Sequence, residues 1–301
     1  MLPRVVLVIL TWNQCDLMLE CLKSVVSLDY PADSLQIIVV DNGSTDGTAQ
    51  AIRGRYPTVM LFETGENLGY AEGNNVGIRY ALRNGAKYIL VLNNDVRVAP
   101  DTLDRLVSAA ERFPDAAFLG PKIYHLDNPD QIQSAGAELD YLWRSRQRGQ
   151  DEPDIGQFDM VKEVDYVIGA AVLVRAELLG EIGLLDADFF LYREDVDWCL
   201  RARRLGYRIL YVPEAEAWHR SHHVRENELP RITYYMTRNS LMLLAKHRGG
   251  AVRFTALVLR HMLTALTWTV KPKWHYKRVE RDALLKGLAD FFRGKVGQGY
   301  A

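Results

Sequence analysis

Four short runs of aliphatic and β-branched residues within the first 95 positions limit the fold of this chain more than any other feature: VVLVIL (5–10), LQIIVV (35–40), TVMLF (58–62) and YILVL (88–92). None alternates apolar with polar residues, so each reads as a strand covered on both faces. Amphipathic stretches with helical spacing separate them, near 16–27, 46–54 and 71–83. Strand, helix and strand in this order imply βαβ units and a parallel sheet with right-handed crossovers. Such sheets bind their ligands outside the carboxyl ends of the strands. The residues that follow each run are therefore the first candidates for function.

Those residues are polar. Thr11, Trp12 and Asn13 follow the first run, DNGSTD (41–46) the second, and Asn93, Asn94 and Asp95 the fourth. GENLGYAEGNNVG (65–77) adds Gly69 and Gly73 at a helix start, where bare backbone amides and the helix dipole favour phosphate. The Asp41 carboxylate can accept hydrogen bonds from a pyrimidine ring or a ribose hydroxyl. Turn chemistry explains it as well, because Ser44 or Asp46 would cap the next helix anyway. Asn94 suits a ribose contact and Asp95 a divalent cation, since Mg²⁺ or Mn²⁺ commonly sits on one or two carboxylates plus substrate phosphates. A plain turn accounts for both equally.

A second organised block contains VIGAAVLVRAELL (167–179), FFLYREDVDWCLRARRLGY (189–207) and RILYVP (208–213). Glu194, Asp195 and Asp197 stand in the first turn of an amphipathic helix, where acids complement the dipole. Adjacent carboxylates also repel one another, which raises a pKa and suits a general base that takes a proton from a sugar hydroxyl. His219, after the last strand, can ligate a metal as a neutral imidazole, with His222 and His223 as competitors. Between the two blocks the pattern is irregular, and RSRQRGQDEPD (144–154) reads as a mobile loop, either a lid or a surface excursion.

The overall charge of −1 hides an asymmetry: Lys246 to Lys295 holds twelve Lys or Arg against three acids, a net of +9, so the rest carries −10. The last sixty residues read as helices near 228–247, 251–270 and 275–293. The middle one is apolar, but Arg253, Arg260 and His261 argue against a membrane span, each central Arg costing about 2.5–3.5 kcal/mol. Trp268, Lys271, Lys273, Trp274, Lys277 and Arg278 mix aromatic and cationic side chains as an interfacial anchor does. An anionic membrane surface is the expected partner of the tail, with a homodimer contact as the alternative; no nucleic-acid module is recognisable. Three cysteines at irregular spacing make neither a disulfide framework nor a zinc pattern. With an apolar start too short for a secretory segment, they point to the cytoplasm and the inner face of the membrane.

Taken in order, VVLVILTWN, IIVVDNGSTDGT, NLGYAEGNN, LNNDV, IGAAVLVR, FLYREDVDWCLRARRLGY and His219 resemble the family-2 inverting glycosyltransferases of the GT-A fold, and most the bacterial rhamnosyltransferase-type branch. The resemblance covers about residues 4 to 240. It implies an α/β fold with a Rossmann-like mixed sheet flanked by helices, a catalytic domain over 1–240, and a basic helical appendage over 241–301. It also implies roles: Thr11, Asn13 and Asp41 bind the nucleoside, and Asn74 and Asn75 contact the base and shape its pocket. Asn94 and Asp95 occupy the last two places of a DxD motif whose first carboxylate is here Asn93. Asp95 and His219 would then hold Mn²⁺ or Mg²⁺, Asp195 would be the catalytic base with Glu194 its partner, and Gly169 and Ala170 would lie under the donor sugar. The implied reaction moves a sugar, L-rhamnose first, from a dTDP- or UDP-linked donor to a saccharide or lipid-linked saccharide in cell-surface polysaccharide synthesis. Other UDP-linked hexoses, GlcNAc or galactofuranose are the alternatives. A sugar nucleotidyltransferase would need a Gly-rich basic signature near the first strand, which TWNQCD does not supply. A non-catalytic scaffold would treat the polar strand ends as caps and bind no nucleotide through a metal.

Overall fold

The computed structural model describes residues 2–141, 143–220 and 228–300. Its strands are β1 (Val5–Thr11), β2 (Leu35–Asp41), β3 (Met60–Glu63), β4 (Tyr88–Asn93), β5 (Val96–Val98), β6 (Ala116–His125), β7 (Ile132–Ser134), β8 (Ala137–Leu139), β9 (Ser145–Gln147), β10 (Lys162–Glu163), β11 (Ala171–Arg175) and β12 (Arg208–His219). The helices are α1 (Cys15–Val25), α2 (Thr48–Arg55), α3 (Gly69–Arg83), α4 (Thr102–Arg112), α5 (Leu179–Ile182), α6 (Glu194–Arg204), α7 (Leu229–Lys246), α8 (Ala251–Val270) and α9 (Arg278–Phe292).

The main sheet runs β10-β12-β6-β11-β4-β1-β2-β3, with β5 on β12 and β7 on β6. The βαβ expectation holds where the four apolar runs lie: β1 pairs in parallel with β2 and β4, and β2 with β3. Beyond β4 the sheet becomes mixed, because β11 runs antiparallel to both β4 and β6 while β12 is parallel to β6. The unbroken apolar run of β1 has a direct cause. Val5, Leu7 and Ile9 pack on one face with Met18 and Leu22 of α1, whereas Val6 and Val8 pack on the other with Ala71 and Ile78 of α3. Two hydrophobic layers thus sandwich the sheet and hold its strand ends in register: Thr11 lies opposite Asp41, and Leu10 opposite Asn93.

The 144–154 segment is not the loose loop expected. Ser145–Gln147 pairs with β8, and the buried Lys122 draws Asp154 to within 2.8 Å and pairs with Asp159 as well. Tyr124 adds a 2.7 Å bond to Asp154. All three cysteines are free, and burial pushes the Cys199 thiol up to about 12, as inert packing requires.

Helices α7, α8 and α9 share a small core of Leu241, Leu244, Leu257, Ala265, Leu284 and Leu288. Among the described residues no helix is long and apolar enough to cross a membrane. Arg238 and Asn239, both fully buried on α7, reach back into the main domain. The Arg238 Nε atom donates to Asn239 Oδ1 at 2.9 Å, and its Nη atoms donate to the carbonyls of Phe189 at 3.1 Å and Gly297 at 2.7 Å.

Candidate active site

The ends of β1 and β4, the start of α6 and the end of β12 surround one open cavity of about 350 Å³, within the usual size of a small-molecule site. Thr11, Asn94, Asp95, Gly169, Ala170, Glu194, Asp195 and His219 all line it. Eight positions from five separate parts of the sequence therefore converge.

On one wall, Asn94 is fixed by its own amide, which donates to Thr11 Oγ at 3.1 Å and to Gln14 Oε1 at 2.9 Å. Next to it the carboxylate of Asp95 faces His219 Nε2 at 3.2 Å, with both side chains largely buried. The other ring nitrogen of His219 lies 2.7 Å from Gln133 Oε1. With its proton held there, the Nε2 lone pair turns towards Asp95, the arrangement in which an outer partner prepares a histidine to ligate. An imidazole nitrogen and a carboxylate oxygen converging at the rim of a cavity fit a divalent cation. No group of three or more such ligands occurs among the described residues, so the rest of the shell would come from substrate oxygens. His222 and His223 lie outside the described residues.

Lining the same cavity, α6 begins with Glu194 and Asp195. Asp195 Oδ2 accepts the Gly169 N–H at 3.1 Å and Oδ1 accepts that of Val196 at 2.7 Å, while the Gly169 carbonyl accepts Tyr70 O–H at 2.6 Å. Position 169 has no room for a side chain: a Cβ would stand 2.9 Å from the Tyr70 hydroxyl. Burial raises the pKa of Asp195, with the two backbone N–H groups and Arg193 opposing the rise. Glu194 is raised further, by burial and then by the charge of Asp195, and its Oε2 has no hydrogen-bond partner among the described residues. Two backbone N–H groups stabilise the ionised carboxylate of Asp195, whereas Glu194 Oε2 has no such donor among the described residues, so Asp195 is the better placed of the two to act as base.

Asp197, the third acid of the cluster, belongs to a different device. Burial pushes its pKa up, but His247 at 2.8 Å, Arg201 at 2.8 Å and Lys246 at 2.9 Å outweigh that and hold it below the ordinary range. It ties α6 to α7 and does not line the cavity.

The residues just before α6 are strained. Phe190, Tyr192 and Arg193 all have positive φ, at 62°, 68° and 76°, a conformation that L-residues other than Asn and Asp rarely adopt. The Asn239 amide holds them there, with Nδ2 lying 2.9, 2.8 and 2.8 Å from the carbonyls of Phe189, Leu191 and Tyr192.

Four expected contact residues are not among those that line this cavity, and Asn13 is exposed. Asp41 Oδ1 accepts Ser44 N–H at 2.9 Å, and Asn13 Oδ1 accepts that of Thr45 at 2.8 Å, so both shape the 42–46 turn. Asn74 donates to the Tyr70 carbonyl at 2.9 Å, and Asn75 exchanges bonds of 2.8 and 3.1 Å with the backbone of Leu185. Gly69 and Gly73 also differ from expectation. The helix start at Gly69 is stoppered by Phe190, whose carbonyl takes the Tyr70 N–H at 2.6 Å, and a Cβ at Gly69 would strike its ring at 2.5 Å. At Gly73 a Cβ would meet Leu10 at 2.6 Å. Both glycines allow close packing; Gly69 still lines the cavity, with its N–H donated to Asn67 Oδ1 at 2.9 Å. Residues that the sequence pattern did not single out include Tyr70, Asn42, Gln133, Arg231 and the Arg238–Asn239 pair. Asn42 accepts Leu68 N–H at 3.0 Å and donates to the Gly69 carbonyl at 3.1 Å.

The family model described as glycosyltransferase-like family 2 matches residues 3–248. The chain belongs to that family. Among its family-2 relatives, the N-acetylglucosaminyl-diphospho-decaprenol L-rhamnosyltransferase of Mycobacterium tuberculosis is 30% identical over 240 residues, covering 71% of this chain and 76% of the relative. The dTDP-rhamnosyl transferase RfbF of Shigella flexneri is 26% identical over 274 residues, covering 87% and 88%. The family's fold is shared by a solved mannosyltransferase, PcManGT from Pyrobaculum calidifontis in complex with GDP-Man and Mn²⁺, with a TM-score of 0.61 at 17% identity over 98% of this chain and 88% of that one. The mixed sheet with its flanking helices is the GT-A architecture, and the protein is a glycosyltransferase.

Proposed function

We propose that the chain transfers L-rhamnose from a nucleoside diphosphate, dTDP first and UDP second, to a hydroxyl of a lipid-linked saccharide, with inversion at the anomeric carbon. The observation that carries this reading is that Asp195, buried and held by the Gly169 N–H, and the Asp95–His219 pair line one and the same cavity. Two relatives whose names specify rhamnosyl transfer support the choice of sugar, and the first of those names supports a lipid diphosphate acceptor.

Thr11 and Asn94 would meet the nucleoside at the strand ends, while Asp41, Asn13, Asn74 and Asn75 act through the turn and helix that they hold in shape. Asp95 and His219 would hold Mn²⁺ or Mg²⁺, which supplies positive charge to the departing diphosphate. Asp195 takes the proton of the acceptor hydroxyl as its oxygen bonds to the anomeric carbon and the bond to the diphosphate oxygen breaks. The proton ends on Asp195 and the electron pair on the leaving group. A diphosphate leaves without protonation, so one base suffices, unlike the two carboxyl groups of glycosidases. Gly169 and Ala170 floor the site without side chains that would crowd the sugar.

The unit over 1–240 carries this chemistry in our reading, and 241–301 holds it at the cytoplasmic face of the membrane. Leu259, Met262, Leu263 and Leu266 are exposed on α8, close in sequence to the exposed Lys271 and Lys273, as an interfacial helix requires. A donor-hydrolysis panel across nucleotide sugars with and without Mn²⁺ tests the core of the proposal. Turnover confined to a non-rhamnosyl donor would replace the sugar, and no turnover with any donor would remove the activity.

A further inference from the structure

A second cavity, about 380 Å³, lies between α7, α8 and the segment at Trp143 and Arg144. Two helical stripes face each other across it. On α7 they are Ile232, Met236, Ser240 and Leu244, spaced four apart; on α8 they are Leu257, Arg260 or His261, Thr264 and Trp268. Side chains at this spacing share one helix face, and such a face normally packs against its neighbour. Here the facing stripes leave room.

The lining has two chemical halves. Ile232, Met236, Leu244, Leu257 and Trp268 are apolar, whereas Arg193 and Arg260 bring guanidinium groups, and no carboxylate occurs among the described residues that line it. Arg193 Nη1 donates to Ser145 Oγ, which fixes its guanidinium at the wall, and Arg260 is exposed. Only an amphiphile satisfies both halves: an anionic head for the guanidinium groups and an apolar chain for the rest.

The position of this cavity links it to the catalytic one. Tyr192 and Glu194 line the catalytic cavity while Arg193 lines the second; likewise Arg231 lines the first and Ile232 the second. The two cavities therefore lie back to back across the start of α6 and the first turn of α7. The apolar residues exposed on α8, Leu259, Met262, Leu263 and Leu266, lie on the helix that walls the second cavity.

We infer that the α7–α8 cavity binds the phosphate-bearing end of a polyisoprenoid lipid, with Arg193 and Arg260 on its phosphate oxygens and its first isoprene units against Leu257 and Trp268. Its role as the acceptor site rests on the proposed glycosyl transfer; the binding itself does not. Arg193 is the hinge of this arrangement, because it connects a lipid phosphate on one side to Glu194 and Asp195 on the other.

The test is calorimetric titration of the full chain with geranylgeranyl diphosphate, in the presence of excess dTDP and Mn²⁺ so that the donor cavity is filled. Geranylgeraniol and inorganic diphosphate serve as the chargeless and chainless comparisons in turn. Saturable binding of the lipid diphosphate, at least tenfold tighter than either comparison, is expected. Arg260→Glu, on an exposed position, and Thr264→Trp, which fills the cavity, should each weaken it tenfold or more. Equal binding of inorganic diphosphate would assign the effect to charge alone, and equal binding of geranylgeraniol to general stickiness; either overturns the inference. So does a lipid affinity that is much weaker with the excess dTDP and Mn²⁺ than in a parallel titration without them, or unaltered affinity in both variants. Donor hydrolysis, measured on the same protein without lipid, stands or falls separately and shows whether the transferase reading survives.

Discussion

Replacing Asn239 by alanine should disable turnover more than it disables donor binding. The Asn239 amide carries two hydrogens and lies 2.8–2.9 Å from three carbonyls, those of Phe189, Leu191 and Tyr192. Its loss strands at least two buried acceptors at about 1–3 kcal/mol each, which sets the destabilisation at about 2–5 kcal/mol. The same bonds restrain Phe190, Tyr192 and Arg193 at positive φ, where each stores about 1–2 kcal/mol. Freed of the amide, the loop relaxes towards negative φ, and the first turn of α6 moves with it. A displacement of about 1 Å at the base costs roughly a hundredfold in rate. We expect kcat to fall at least that far, while the affinity for dTDP, which depends on the β1 and β4 ends, stays within about threefold of the native value. Asn239→Asp should be no better despite its identical shape, because a carboxylate offers acceptors where three carbonyls need a donor. Urea denaturation gives the stability change, and single-turnover kinetics on the folded fraction gives the rate. A variant that loses the predicted stability yet keeps native kcat per folded molecule would refute the positioning role.

Asp195→Asn should lower kcat by about a thousandfold or more with nucleotide affinity nearly intact; equal loss of both would count against its assignment as base. Glu194→Gln leaves both backbone N–H groups on the Asp195 carboxylate, so turnover should stay within about tenfold of native; a loss matching that of Asp195→Asn would contradict this division. Because burial raises the folded pKa of Asp195, activity should rise with pH along a limb above the ordinary carboxylate value of about 3.9, and a limb at or below that value in kcat/KM would be inconsistent with a buried base. Asp197 behaves oppositely: its folded pKa is depressed, so its stabilising contribution is present above the unfolded value and disappears as pH falls through the folded one. Asp197→Asn should therefore flatten the acid side of the stability curve measured by thermal melts. Asp95→Ala should abolish any Mn²⁺-dependent gain in dTDP binding, and Gln133→Leu, by releasing His219, should weaken that gain about tenfold; titration calorimetry with and without Mn²⁺ separates the two.

Burial on both sides makes β1, β2 and β4 readable from letters alone, since Val5 to Ile9 must satisfy two cores at once. Their polar ends follow directly, which is why Thr11, Asn94 and Asp95 could be found. The strands from β7 to β10 are two or three residues long, too short to show a period of their own; β7 and the β8–β9 hairpin pair locally, whereas β10 pairs with the distant β12. Charge misled in 144–154, because Lys122, some thirty residues upstream, neutralises Asp154 in a buried pair. Glycine misled at 69 and 73, where the same bareness that admits a phosphate admits the Phe190 ring and Leu10 instead. Arg238 and Asn239 lie in TYYMTRNS, a stretch whose polarity suggests a solvated face. Their partners are backbone carbonyls about fifty positions away, so only the folded chain shows them to be buried. Tyr70 stood within the recognised NLGYAEGNN stretch, yet a tyrosine there is equally a packing residue until its bond to Gly169 is seen.

The bond from Arg238 to the Gly297 carbonyl, together with that from Tyr234 to Asp290 at 2.9 Å, means that the last residues of α9 and the turn after it help to brace the entrance of α6. Shortening the protein from its carboxyl end would thus loosen the wall that carries Asp195 along with whatever the tail itself does. Surface substitutions, such as reversing Lys271 and Lys273, leave every one of those internal bonds in place and so test the tail's exposed face apart from the site.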